Sequence, residues 1–489
     1  MTEAFDAKDA DNPLINPDLA PVPPALRTWR LGSFAALWIS MAACIPTYQL
    51  ASSLLAGGMN WWQAILTIFL GNLIVVIPMI LNAHAGTRYG IPFPVFCRAS
   101  FGTAGANLPA MMRALVACGW FGIQCWIGGN AIYTILGVFE PQLTQAPALG
   151  GIGINQWQLA CFLGFWGINM LIVYLGINSI RILLNIKAPL LIVLGLALLA
   201  WACVQAGGFG PMLSKPSAFD PGQPKAGQFW PFFFPALTGM VGFWATLSLN
   251  IPDFSRYAAT QRDQIAGQAL GLPLTMALYA FIGVAVTSAT TVIYGEELWD
   301  PIAVLARFKN PAVLVVSMLA LCLATLATNI AANVVSPAND FAHLAPRAIS
   351  FRLGGLITGL IGIAIMPWKL MANAGRYIGW LVSYSALLGP IGGIMIADYF
   401  VYRRCQLDLP GLYDAHGPYR YRGGVSAVAI IAFVCGVLPS IPGFLVKVGA
   451  VPDTQFSPLL VTLFDYAWFV GFGTSFVLYL LLRAFAPKS

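Results

Sequence analysis

The sequence predicts an all-α polytopic membrane protein of about twelve transmembrane helices, on three observations. Apolar residues make up 58% of the 489-residue chain and charged residues only 9%, whereas soluble domains carry about 25% charged residues. With so little charge the chain cannot cover a water-facing surface, so most of its exterior must meet lipid. No Asp, Glu, Lys or Arg lies between Arg30 and Arg88. A spanning helix needs about 20 apolar residues, so that stretch holds two, turned at Gly57-Gly58. Apolar runs of this kind then recur along the chain between polar or Gly/Pro breaks.

The N-terminus is acidic and Pro-rich up to Pro24 (Glu3, Asp6, Asp9, Asp11, Asp18). Signal peptides are basic and then apolar, and transit peptides avoid acids. Residues 1–30 therefore read as a disordered cytoplasmic tail, and the first helix directs insertion. Spans follow near 31–56, 61–82, 107–138, 157–177, 186–206, 230–251, 270–294, 311–335, 353–368, 378–401, 424–446 and 459–484. Twelve spans put both termini on one side. With that side cytoplasmic, about 17 Lys/Arg fall inside and about 7 outside, as the positive-inside rule favours. The inside set includes Arg88, Arg98, Arg181, Arg256, Arg347, Arg403 and Arg404. This distribution accounts for the net charge of +7 without a nucleic-acid partner. The nine Cys are scattered singly, mostly within spans, and their spacing suggests neither zinc nor a disulfide framework. They read as small core residues.

Two spans are chemically odd. The first, "LWISMAACIPTYQL" (37–50), carries Pro46 in mid-span. Its missing N–H and ring clash should break the helix just before it, near Ala42–Ile45. The sixth, "FFFPALTGMVGFWATLSLNIPD" (232–253), is loosened by Pro235, Gly239 and Gly242. These spans occupy equivalent positions if the first ten helices form two five-helix halves. Paired interrupted helices of this kind point to a midplane binding site in an inverted-repeat transporter, because unwound backbone is tolerated in a membrane only where it is buried in protein or lines a cavity. The competing explanation is that Gly and Pro are common in membrane helices and mark close packing.

Polar groups within spans are the informative ones. In the third span Trp120 and Gln124 lie four residues apart, on one helical face. Trp offers a stacking surface and Gln an acceptor and two donors, which suits a planar, amide-bearing ring. The alternative is Trp against lipid and Gln bonded to another helix. In the eighth span, "LATLATNIAANVVSPAND" (323–340), Asn329 and Asn333 share a face with Thr325 and Thr328 nearby. Two Asn in an apolar helix are costly unless satisfied, and interhelical bonding competes with ligand binding as the reason. Trp244, just after the loosened part of the sixth span, supplies a second aromatic face. Two Trp planes and two amides would hold a flat heterocycle by stacking and directional hydrogen bonds.

Missing features discriminate too. There is no Walker-type Gly-rich phosphate loop, which argues against direct ATP drive. The three His (His84, His343, His416) form no metal-ligand cluster. Arg113 and Asp465 lie nearer the ends of their spans than the centres, where a charge can reach the interface. No midplane charge remains, which argues against a charged substrate and against a carboxylate proton relay.

The segments "IPTYQLASSLLAGGMNWWQA" (45–64), "YGIPFPVFCRASFG" (89–102), "FWATLSLNIPDFSRY" (243–257), "TNIAANVVSPAN" (328–339) and "LLGPIGGIMIADYF" (387–400) resemble those of the nucleobase–cation symporter-1 family over roughly residues 27–485. The match is closest to its uracil and allantoin branch and looser to the hydantoin transporter. The resemblance implies a LeuT-like fold, with one five-helix repeat over 31–206, an inverted repeat over 230–401 and helices 11 and 12 over 424–485. It places Trp120 and Trp244 as the aromatic pair around the substrate, Gln124 and Asn333 as hydrogen-bond partners, and Asn329 as a support behind them. Ile378 is the expected outward gate in the tenth span, with Leu381 as the other choice. The family's sodium site would use backbone carbonyls of Ser40, Ala43 and Ala324 and the Thr328 hydroxyl. Ala327 stands where the sodium-coupled member has Ser, so one oxygen is lost. Hard cations want a full set of oxygens, which favours proton over sodium coupling. Asp253 is the only proton carrier in view, and a weak one.

The expected protein is thus a secondary transporter, not an enzyme, in the inner (cell) membrane with both termini cytoplasmic. It imports a neutral heterocycle by alternating access, with uracil ranked first, allantoin second, and hydantoin, cytosine or a purine third. It needs no cofactor and works as a monomer. A membrane-embedded enzyme would need a catalytic constellation that the spans lack, and a channel would need a filter of carbonyl or charged rings.

Overall fold

The computed structural model describes Leu14 and residues 19–175, 177–345 and 348–485, with the side chains of 177–190, 335 and 339 outside the description. The expected tail lies mostly outside these residues, as do Arg347 and the Arg181 side chain. Residues 19–30 do not behave as a tail. Leu19 is buried and its carbonyl accepts from the Tyr413 hydroxyl at 2.7 Å. Trp29 pairs with the backbone of Tyr257 and Ala259 at 2.9 and 2.8 Å.

The described residues are helical without a named strand, and each expected span finds a helix or a helix pair. Among the described residues, eight helices are long and apolar enough to cross a membrane, and a bent pair makes a ninth. Three shorter apolar helices, Leu191–Gln205, Phe229–Phe243 and Phe351–Ala364, take the remaining positions in spans 5, 6 and 9. Span 3 (Asn107–Phe139) has span 8 along it, span 7 (Gln261–Tyr294) packs on spans 1 and 2, and span 12 lies against span 10 (Ala374–Ile396). Glycines allow these approaches: a Cβ on Gly283 would stand 2.8 Å from the Tyr48 carbonyl oxygen. All nine Cys are free, and six are buried.

The first span breaks where Pro46 requires it. Helices Leu31–Ala42 and Ile45–Gly57 meet at 59°, with Cys44 extended between them at φ −150°, ψ 160°. The sixth span breaks at Trp244, between Phe229–Phe243 and Ala245–Asn250. Pro235 stays within the helix. Gly242 instead lets the chain press against span 10, where an added Cβ would lie 2.7 Å from the Leu381 carbonyl oxygen. Span 8 is interrupted at Val334, between Pro311–Asn333 and Val335–Leu344.

One expectation about charge fails. Asp465 does reach a half-exposed partner, Lys447, at 3.6 Å. Arg113, however, is fully buried and pairs with buried Asp340 at 2.9 Å. The reason is tertiary: the last turns of span 8 lie across the start of span 3 and close its route to the interface.

Candidate functional site

The breaks in spans 1 and 6 face spans 3 and 8 across one small cavity of about 40 Å³. Trp120, Gln124, Trp244, Asn333 and Thr328 all line it, with Phe243 and Thr246. Residues far apart in sequence therefore meet as the residue types suggested. Trp120, Gln124, Trp244 and Asn333 are each no more than 6% exposed. Drug-sized ligand pockets run to ~300 Å³ and more, so this cavity is closed down and must widen to admit a ring.

Its walls are aromatic. Phe243 stands edge-on to both tryptophans, 5.2 Å from Trp120 and 5.0 Å from Trp244 between ring centroids. Trp38 packs edge-on against Trp244 at 5.3 Å. Such edge-to-face contacts fix ring planes and leave faces for stacking. The polar atoms are unevenly satisfied. Gln124 Oε1, an acceptor, and Trp244 Nε1, a donor, are buried without a partner. Each such atom costs about 1–3 kcal/mol. A ring bearing an N–H group would satisfy the Gln124 acceptor.

Asn329 stands apart from the lining. Its Nδ2 donates to the Phe121 carbonyl and to Asn169 Oδ1, both at 3.2 Å, and its Oδ1 accepts from Asn333 Nδ2 at 3.0 Å. It ties spans 3, 4 and 8 together and fixes the Asn333 amide from behind. Asn169 was missed by sequence reasoning, although an Asn within an apolar span is the same signal that singled out Asn329.

Span 10 closes over the site with two tyrosines that were also missed. Tyr377 hydroxyl donates to the Pro46 carbonyl at 3.1 Å, and Tyr384 hydroxyl to the Gly242 carbonyl at 2.8 Å. Each phenol thus ties span 10 to backbone beside a broken span, and both rings pack edge-on to Trp120 at 6.2 and 6.5 Å. Ile378 and Leu381 pack on Gly239, each 3.6 Å from its Cβ position, and neither lines the cavity. Ile378 borders instead a groove of about 1290 Å³ between span 10 and the helices of span 11.

At the expected sodium site, the Thr328 hydroxyl donates to the Ala324 carbonyl at 2.8 Å. Two of the four expected oxygens therefore satisfy each other. Ser40 and Ala43 sit at the end of the first half of span 1, where Ala43 departs from helix at φ −74°, ψ 86°.

Broken spans around a buried, polar-studded cavity are the architecture of a multi-pass transporter of the LeuT-like fold. Residues 21–471 match the family model for permeases of cytosine/purines, uracil, thiamine and allantoin, and the chain belongs to that family. It is 43% identical to the purine-uracil permease NCS1 of Arabidopsis thaliana, over 99% of this chain and 80% of that one. It is 40% identical to the allantoin permease of Bacillus subtilis, over 99% of this chain and 96% of the relative. Its structure is similar to that of Mhp1 in an inward-facing conformation, with a TM-score of 0.78 at 26% identity, covering 97% of this chain and 94% of that one. A Mhp1 structure with bromovinylhydantoin bound matches at a TM-score of 0.76 and 26% identity, over 96% and 95% of the two chains.

Proposed function

We propose that this permease imports a neutral planar heterocycle, uracil first and allantoin next, by proton-coupled symport with alternating access. The observation that carries the reading is an unsatisfied acceptor, Gln124 Oε1, on one closed cavity that Trp120, Trp244 and Asn333 also line. The ring would stack between Trp120 and Trp244, with Gln124 and Asn333 on its amide edge and Asn329 holding Asn333. Uracil and allantoin both present alternating C=O and N–H groups, and the relatives named above are permeases for purine-uracil and for allantoin.

Proton coupling is favoured because Ala327 brings no hydroxyl to the expected cation site, and a hard cation wants a full set of oxygens. Span 10, from Tyr377 to Leu381, is the outward gate. Residues 31–206 and 230–401 form two inverted five-helix repeats, followed by 424–485, and the bundle of spans 1, 2, 6 and 7 moves against spans 3, 4, 8 and 9 about the cavity. The protein sits in the cell membrane with both termini cytoplasmic and works as a monomer.

The test is initial uptake of labelled uracil and allantoin by bacteria lacking their own nucleobase carriers, with pH varied and sodium present or replaced. Uracil uptake that rises at low pH and ignores sodium supports the reading. Allantoin uptake alone moves the substrate to the second choice. Absence of both, with protein in the membrane, overturns the substrate assignment.

A further inference from the structure

Span 10 borders a second space, the groove of about 1290 Å³ that it shares with spans 11 and 12. Groove and substrate cavity have no lining residue in common. An apolar groove between membrane helices is unremarkable by itself; the rim of this one is not. Lys369, Arg376 and Lys447 all line it. Lys369 lies in the link from span 9 to span 10, Arg376 in the first turn of span 10, and Lys447 ends the helix Ile441–Lys447 of span 11. Both links follow an odd number of spans, so all three cations stand on the side of the membrane opposite the N terminus. With cytoplasmic termini, that is the side on which Lys and Arg are depleted.

These cations are poorly matched by acids. Asp465 is the only carboxylate among the lining residues, 3.6 Å from Lys447. Lys369 donates to the Gly151 carbonyl at 3.3 Å, and among the described residues neither Lys369 nor Arg376 is paired with a carboxylate. Other basic residues of this side are engaged: Lys215 pairs with Glu297, Arg307 with Glu296, and Lys225 donates to the Gly57 carbonyl at 2.6 Å. Below the rim come two further donors. Trp380, one turn beneath Arg376, and Ser440, two turns beneath Lys447, both line the groove. Trp380 Nε1 and Ser440 Oγ are buried without a hydrogen-bond partner, and Ser440 is only 2% exposed. Deeper still the walls are apolar, with Val382 and Leu387 from span 10 and Val437 from span 11.

We propose that this groove binds an anionic phospholipid of the bilayer, with its phosphate on Lys369, Arg376 and Lys447. Its ester oxygens meet Trp380 Nε1 and Ser440 Oγ, and an acyl chain lies between spans 10 and 11. Cations, then donors, then apolar walls follow one another with depth in the order that phosphate, esters and chain do in a lipid. Basic pockets between membrane helices hold anionic headgroups by the same charge complementarity. A second copy of the chain fits less well, since a two-fold axis normal to the membrane would bring its own three cations to the same side. The lipid packs the face of span 10 that bears Arg376, Trp380 and Leu387, which share one helical stripe. On that face a Cβ added to Gly379 would meet nothing within 4 Å.

The test uses the purified full-length chain in detergent, titrated with phosphatidylglycerol or with phosphatidylcholine of the same acyl chains. Native mass spectrometry counts the lipids bound per protein. Wild type is expected to bind phosphatidylglycerol at least about tenfold more tightly than phosphatidylcholine, given roughly 1 kcal/mol for each Lys or Arg near an anionic headgroup. In Lys369→Gln/Arg376→Gln/Lys447→Gln the two lipids are expected to come within about threefold of each other. Gly379→Trp fills the groove and leaves all three cations in place, so it remains informative where the triple variant fails to fold. It is expected to weaken phosphatidylglycerol binding at least about tenfold, as the chain loses its place. Equal binding of the two lipids by wild type, or a preference that survives in the triple variant, overturns the site. Undiminished binding by Gly379→Trp overturns it as well. A lipid-free dimer that Gly379→Trp converts to monomer overturns it in favour of a second copy.

Discussion

Gln124 and Trp244 act through single atoms, and the two can be separated by substitution. Gln124→Ala removes the acceptor and should raise the apparent Kd for the heterocycle about 10- to 100-fold, because a bond within a buried site is worth roughly 1.5–3 kcal/mol. Binding measured by quenching of tryptophan fluorescence checks this, and a Kd within threefold of wild type removes Gln124 from the site. Trp244→Phe keeps an aromatic face and deletes the N–H, so it should cost less than Trp244→Ala, which loses both. Equal losses for the two would mean that stacking contributes nothing at this position. Arg113 belongs to a different category, since truncation strands Asp340 as an unpaired buried carboxylate. Arg113→Ala should destabilise the fold by about 3–5 kcal/mol, read as a fall in thermal stability in detergent.

At the scale of elements, the breaks in spans 1 and 6 are held open by specific partners. Pro46 and Gly242 lie in the helical turns beside the breaks. Their carbonyls accept from Tyr377 and Tyr384 of span 10. The gate helix is thereby fastened to both broken spans at once, and bending it outward must release those two bonds. Tyr384→Phe should therefore shift the protein toward outward-open states, seen as faster labelling of a cysteine introduced in the cavity. Labelling unchanged from wild type would show that the bond does not restrain span 10. Gly242→Ala loosens the same contact by a different route: its methyl would meet the Leu381 carbonyl at 2.7 Å, pushing span 10 away at a cost of about 1–3 kcal/mol. Lowered thermal stability together with lowered uptake is the expected result.

For the whole molecule, the small closed cavity and the polar junction beyond it lie in series along spans 3, 6 and 8. Closure on one side is built from aromatic packing by span 10, and on the other from charged and polar contacts at Arg113, Asp340 and Asp253. The two closures are therefore built from different chemistry, the first aromatic and apolar, the second charged and polar. On the proposed proton coupling, uptake should be insensitive to replacing sodium with choline at constant pH and should rise as external pH falls. Flux measurements over both series decide this, and a strict sodium requirement would show that the cation site works without a hydroxyl at Ala327.

Composition alone determined the class, because 9% charge leaves no other solvent than lipid for most of the surface. Periodic apolar runs placed the spans, and Pro46 placed the break in span 1, since a proline's effect on its own helix is local. That Trp120, Gln124, Trp244 and Asn333 would line one candidate cavity was legible for a related reason: polar amides and bulky indoles in an apolar helix call for a partner. Which groups answer them was not legible. Phe243, Tyr377 and Tyr384 look like ordinary membrane aromatics in the sequence, and only the crossing of span 10 over spans 1 and 6 gives them partners. Arg113 was misread for the same reason, because its distance from the helix end permits escape to the interface while the end of span 8 forbids it. Local chemistry fixes where a chain must bend or bury a polar group. Long-range packing decides which group it meets there, because that contact depends on how whole helices cross and not on any residue's neighbours in sequence.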